Sequence, residues 1–218
     1  MLTILTMTID RLEQLPSQEH VFRIHLSDGS VIRTQDYVIA ELGLYCGLEL
    51  SEALLSRLKE AAGLASAKNR AVRILSASGV SKQELQYRLT KKGESQQDAE
   101  AAVEWLSDLE LLDDGKTAER LVRSAVAKGY GASRIKQILF EKRIPKEYWE
   151  EALAHLPDMD NAIDKFLCQR LRGHEPDKKE LKRTVDALVR RGHNWQDIHA
   201  GLRRYSVSLD EKLEEQYE

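Results

Sequence analysis

The stretch SKQELQYRLTKKG, Ser81 to Gly93, decides the fold, because its pattern occurs three times. Fifty residues later the chain reads GASRIKQILFEKR, Gly131 to Arg143. About forty-nine residues further on it reads VDALVRRGHNWQDI, with Leu188 and Gly192 standing where Leu89 and Gly93 stood. Each copy is a pair of short helical stretches joined by a basic turn. A period in this range marks stacked supersecondary units, each too small to bury a core alone. Such arrays bind long surfaces more often than they enclose a small substrate.

Caps and apolar positions recur in step. In the first copy Ala71, Ile74 and Leu75 form one stripe. Ser81 and Glu84 fit a capping box for the helix carrying Leu85 and Leu89. Gly93 ends that helix, and Ser95 with Asp98 caps the next, which carries Ala99, Ala102, Val103 and Leu106. The third copy puts Asn194, Asp197, Ile198 and Leu202 at matching positions. The second puts Pro145 at the helix start, where its missing N–H is harmless, then Trp149 and Leu153. Leu89, Leu139 and Leu188 are the expected shared core position.

The first third is different. His20 to Leu26 and Val31 to Thr34 are alternating, β-branched runs around Ser27-Asp28-Gly29-Ser30, where Asp-Gly supplies the positive φ of a tight hairpin. Leu2 to Ile9 alternates too and predicts a third strand. Tyr37 to Leu42 predicts a short helix. Ser51 to Ala62 predicts another, with Ser51 as N-cap and Leu54, Leu55 and Leu58 on one face. The expected fold is therefore mainly α: three tandem three-helix repeats after a small β-hairpin-plus-helix module. The expected boundaries are 1–66 for the module, 67–114, 115–157 and 158–205 for the repeats, and 206–218 for an acidic tail.

Composition bounds the function. Lys and Arg number 33 against 36 Asp and Glu, for a formal net charge of −3. By segment, in chain order, the balance is −4, −2, +4, +3 and −4, so repeats two and three are basic between acidic ends. That points to an anionic partner. No apolar run approaches the roughly 18 residues of a membrane span, and MLTILTMTIDRLEQ lacks the features of a signal peptide. Cys46 and Cys168 are far apart and read as buried, reduced thiols of a cytoplasmic protein.

Catalytic chemistry is not legible. Lys128-Gly129-Tyr130-Gly131 lacks the lysine and hydroxyl of a phosphate loop and follows a helix; it reads as a helix end before a cap at Ser133. Asp113-Asp114 reads as a helix cap. His193 and His199 lie off a shared helical face, and neither cysteine has a near partner for zinc. No enzyme, metal or cofactor is expected.

The basic turns carry the functional expectation. Lys91-Lys92-Gly93, Lys142-Arg143 and Arg190-Arg191-Gly192 recur at equivalent places, where cations favour the helix C-terminus by roughly 0.3–1 kcal/mol each. Stacked repeats would also align such residues along an exposed edge suited to a filament or a phosphate backbone. The candidates are Arg123, Lys128, Arg134, Lys136, Lys142, Arg143, Lys182, Arg183, Arg190 and Arg191.

Several blocks together resemble the bacterial RecX regulators. They are Leu111-Leu112-Asp113-Asp114, Ala118, Lys128 to Gly131, Ile135-Lys136-Gln137, Leu139, Lys142 and Ile144, with Ser81, Glu84-Leu85, Leu89 and Lys92-Gly93 before them. The hairpin followed by Leu44-Tyr45-Cys46-Gly47 and Leu50-Ser51 is similar to an extension carried by many members. The resemblance runs to about Tyr205. This chain has Thr117 in place of the family's usual aromatic, Ala132 in place of proline, Ile138 in place of glutamate and Arg143 in place of glycine. The resemblance implies a monomeric modulator, most often an inhibitor, of the RecA recombinase in homologous recombination, DNA repair and the SOS response, lying in the groove of the RecA–DNA filament. Two other readings stay open. One is a helix-turn-helix-like module that presents Arg134-Ile135-Lys136-Gln137 to a nucleic-acid groove without RecA. The other is an adaptor for an unrelated protein.

Overall fold

The computed structural model describes residues 7–16, 18–154, 156, 160–172 and 176–205. The chain divides into two compact units, Met1–Leu112 and Asp113–Glu218.

The first unit opens with four strands, β1 (Met7–Gln14), β2 (Val21–Leu26), β3 (Val31–Gln35) and β4 (Glu49–Leu50). They form an antiparallel sheet of order β3-β2-β1-β4. The β2–β3 hairpin turns at Ser27 to Ser30, as the Asp-Gly pair predicts. Gly29 takes φ +83°, and the Asp28 carboxylate accepts from the Ser30 N–H at 2.8 Å. Leu2 to Thr6 lie outside the described residues. From Met7, β1 runs on to Gln14, five residues past the alternating stretch, because a register shift between Ile9 and Arg11 interrupts the period of two.

Helix α1 (Asp36–Glu41) follows the hairpin. Helix α2 (Glu52–Ala77) starts where Ser51 Oγ accepts from the Leu54 N–H at 3.2 Å. At 26 residues it spans about 39 Å and passes the expected boundary at residue 66 without a break. Its first half, through Leu58 and Ala65, packs on the sheet with Ile9, Ile24, Leu26 and Val38. Its second half, through Ala67 and Ala71, enters the core of the first repeat with α3 (Lys82–Lys91) and α4 (Gln96–Asp108).

The second unit holds α5 (Asp114–Ala127), α6 (Ala132–Glu141) and α7 (Trp149–Ala154), the last entered through a 3-10 turn at Lys146–Tyr148. Then come α8 (Asp160–Leu171), α9 (Lys178–Arg190) and α10 (Trp195–Arg204). Asp113 caps α5 through the Lys116 N–H at 3.0 Å, and that bond holds its carboxyl below the usual carboxylate range. Asn194 caps α10 through the Asp197 N–H at 2.8 Å.

The three copies share one turn geometry. Leu89, Leu139 and Leu188 are fully buried. Their carbonyls accept from the N–H of Glu94 at 3.2 Å, Ile144 at 3.0 Å and His193 at 3.3 Å. These are the closing bonds of a Schellman-type helix end. The left-handed residue inside each turn is Gly93 (φ +93°), Arg143 (φ +53°) and Gly192 (φ +86°). Both cysteines are exposed rather than buried. Cys46 lies in the turn before β4, and Cys168 lies on the outer side of α8, beside the inward-facing Leu167.

Candidate interaction surface

In the second unit the turn before α6 and the turn after α9 interlock. The Gly131 N–H donates to the Arg191 carbonyl at 2.8 Å, and the Ser133 N–H donates to the Gly192 carbonyl at 3.2 Å. The N-cap of α6 is therefore Gly131, which has no side chain, rather than Ser133. The N–H groups of the N-cap Gly131 and of Ser133 find their acceptors in the third repeat. The approach is too close for any side chain. A Cβ at Gly131 would lie 2.3 Å from the Gly192 oxygen, and one at Gly192 would lie 2.2 Å from the Arg134 nitrogen.

Two side chains complete the interlock. Arg191 Nη1 donates to the Lys128 carbonyl at 2.9 Å, while its guanidinium lies 4.9 Å from the centre of the Phe166 ring. His193 places Nε2 at 3.1 Å from the Gly129 carbonyl. A carbonyl only accepts, so Nε2 carries the proton and the ring is the neutral Nε2–H tautomer. Burial pushes the His193 imidazole below its usual range. Neither the interlock nor the role of His193 is visible in the periodic pattern, because both join residues about sixty positions apart.

This packing sorts the ten candidate cations. Arg123, Lys128, Lys136, Lys182, Arg183 and Arg190 are exposed. Arg134 is half-buried and paired to Glu141 at 3.2 Å. Lys142 and Arg143 are half-buried, not fully exposed as expected, because they sit inside the turn that closes on Leu139. The interlock brings Lys128 and Arg191 together. Lys182 and Arg183 lie about two turns further back along α9, about 12 Å from Arg190 and Arg191. Ile135 is fully buried, so the tetrapeptide Arg134 to Gln137 cannot face a groove as a block; only Lys136 and Gln137 are exposed.

One element of this surface was missed in the sequence. Phe140 is 71% exposed and Val189 40%. Each directly follows the buried leucine of its turn, and each stands two or fewer residues from a basic pair. The equivalent position in the first repeat is Thr90. Two apolar groups at one repeat position were the available signal. Among the described residues no group of three or more His, Cys, Asp or Glu is placed to hold a metal ion. Among them, too, no helix is long and apolar enough to cross a membrane.

Comparison with known proteins places this architecture. The models of the first and second three-helix domains of RecX match residues 67–106 and 113–153. The regulatory protein RecX of Vibrio parahaemolyticus is 32% identical over 146 residues, which cover 66% of this chain and 94% of that relative. The chain belongs to the RecX family. A RecX relative from Clostridioides difficile, 26% identical, aligns over 81% of this chain and 83% of its own length. A crystal structure of a regulatory protein RecX superposes with a TM-score of 0.61 at 20% identity, covering 88% of this chain and 97% of that one. RecX from Lactobacillus salivarius gives 0.57 at 19%, covering 66% and 97%. At these identities the solved RecX structures speak for the fold alone. Arg143 stands at a left-handed position, where glycine is the favoured residue.

Proposed function

We propose that this RecX-family chain is a non-catalytic modulator of the RecA recombinase, acting as an inhibitor by binding along the groove of the RecA–DNA filament. Its binding edge is the basic face of repeats two and three: Arg123, Lys128, Lys136, Lys182, Arg183 and Arg190, with Phe140 and Val189 as apolar anchors. One observation carries the reading: six exposed cations and two exposed apolar side chains share the unit whose two repeats are locked turn to turn. A rigid edge meets a repeating partner without reordering, which keeps the cost of association low. Exposed Arg and Lys suit a polyanionic filament, and the apolar anchors supply the burial that charge alone lacks. Arg134 and Arg191 hold the edge in shape, and Lys142 and Arg143 form its turn.

The test is binding to preassembled RecA filaments on single-stranded DNA, compared with the same DNA bare, across a salt series. Filament binding well above binding to bare DNA is expected. Stronger, steeply salt-dependent binding to bare DNA would replace it with the helix-turn-helix-like reading.

A further inference from the structure

The acidic first unit also gathers cations around one cavity. A cavity of about 590 Å³ lies in the first unit between the free edge of β3 and the first repeat. Arg33, Arg70, Arg73, Arg88 and Lys92 line it, and no carboxylate does. Arg70 and Arg88 are fixed from behind. Glu94 accepts from Arg70 Nε at 2.6 Å and Glu84 from Arg88 Nε at 2.7 Å, and both carboxylates are largely buried. Both acids take the Nε edge. Among the described residues the Arg70 Nη groups have no partner, and Arg88 spends only Nη1, on Ser78 at 3.4 Å. Arg33 spends Nη2 on the neutral Gln18. Arg73 and Lys92 are exposed and, among the described residues, have no ion pair. Five cations set against two acids leave three positive charges around one cavity.

A solvated charged face would not need largely buried carboxylates holding two guanidinium forks that line one cavity.

We infer that this cavity is a phosphate-binding site, of a size and charge for the polyphosphate of a free nucleotide. Guanidinium Nη donors present paired N–H groups that match phosphate oxygens. The volume is that of small-ligand pockets, about 300–1,000 Å³, and too large for one inorganic phosphate. The site is independent of the basic edge in the second unit.

Titration of the full chain with inorganic tripolyphosphate, followed by calorimetry and thermal melting, tests it. Saturable binding with a rise in melting temperature is expected. Arg73→Glu with Lys92→Glu should weaken binding at least ten-fold with the circular dichroism spectrum unchanged, since both side chains are exposed. Arg123→Glu with Lys136→Glu, on the other unit, should leave binding unchanged. No binding, or equal weakening by both charge-reversal pairs, overturns the inference. In competition, ATP displacing tripolyphosphate better than an oligodeoxythymidylate of equal phosphate concentration supports a free nucleotide; the reverse order overturns that part and assigns the site to a nucleic-acid backbone.

Discussion

His193 shows how much one side chain can carry here. Its ring is buried at the joint between repeats two and three, donates from Nε2, and has no partner at Nδ1 among the described residues. Protonating Nδ1 would place a charge in that joint beside Arg191. The folded pKa lies below the unfolded value, so the unfolded chain binds the proton more readily. The stabilising contribution is then complete above about pH 6.5 and is lost as pH falls through the folded value. Urea unfolding at pH 7.5 and 5.5 should show a loss of stability that His193→Gln reduces. An unchanged pH dependence in the variant would remove His193 from the joint's energetics. Arg143 offers a second test at this scale. A left-handed non-glycine residue is strained by roughly 1–2 kcal/mol, and glycine gives back part of that gain through unfolded-state entropy. Arg143→Gly should raise stability by up to ~1 kcal/mol in urea melts. A loss would mean that the contacts of the arginine side chain outweigh its strain.

At the scale of elements, the three repeats are held in register by Leu89, Leu139 and Leu188, all fully buried. Truncating Leu139 should cost ~2–5 kcal/mol, because the cavity it leaves is lined by the buried Ala118, Val122, Ile135 and Ile144. A melting temperature unchanged by Leu139→Ala would contradict the register. What was legible in the sequence was local: Ser51, Ser81, Ser95, Asp113 and Asn194 all cap helices through a bond to the N–H three residues on. What was not legible was made by tertiary packing. Ser133 yields the N-cap position to Gly131, whose carbonyl accepts from the Ile135 N–H, while the Ser133 N–H itself is taken by the Gly192 carbonyl. Helix α2 continues past residue 66 because its two halves serve two cores, and the alanine-rich stretch between them carries no stop signal. The arginine cavity escaped the segment charges because it draws Arg33 from a strand and the other cations from three stretches of the first repeat. Net charge over a segment says nothing about which face collects it.

Over the whole molecule, charge is divided between a basic second unit and an acidic tail that lies outside the described residues, with an acidic first unit that still concentrates five cations around one cavity. Under the proposed function, protein–filament contact falls to the exposed cations of the second unit. Lys182 and Arg183 are its sharpest probes, because they are exposed and take no part in the interlock. Exposed reversals there should change stability by under ~0.5 kcal/mol while lowering the association rate with a polyanionic partner. The most direct measurement is DNA-stimulated ATP hydrolysis by RecA with and without substoichiometric amounts of this protein. Hydrolysis should fall with the native chain and recover, at the same dose, with the Lys182→Glu, Arg183→Glu double variant. Hydrolysis unaffected by the native chain, at a dose where the chain is folded and in contact with filaments, would contradict the account.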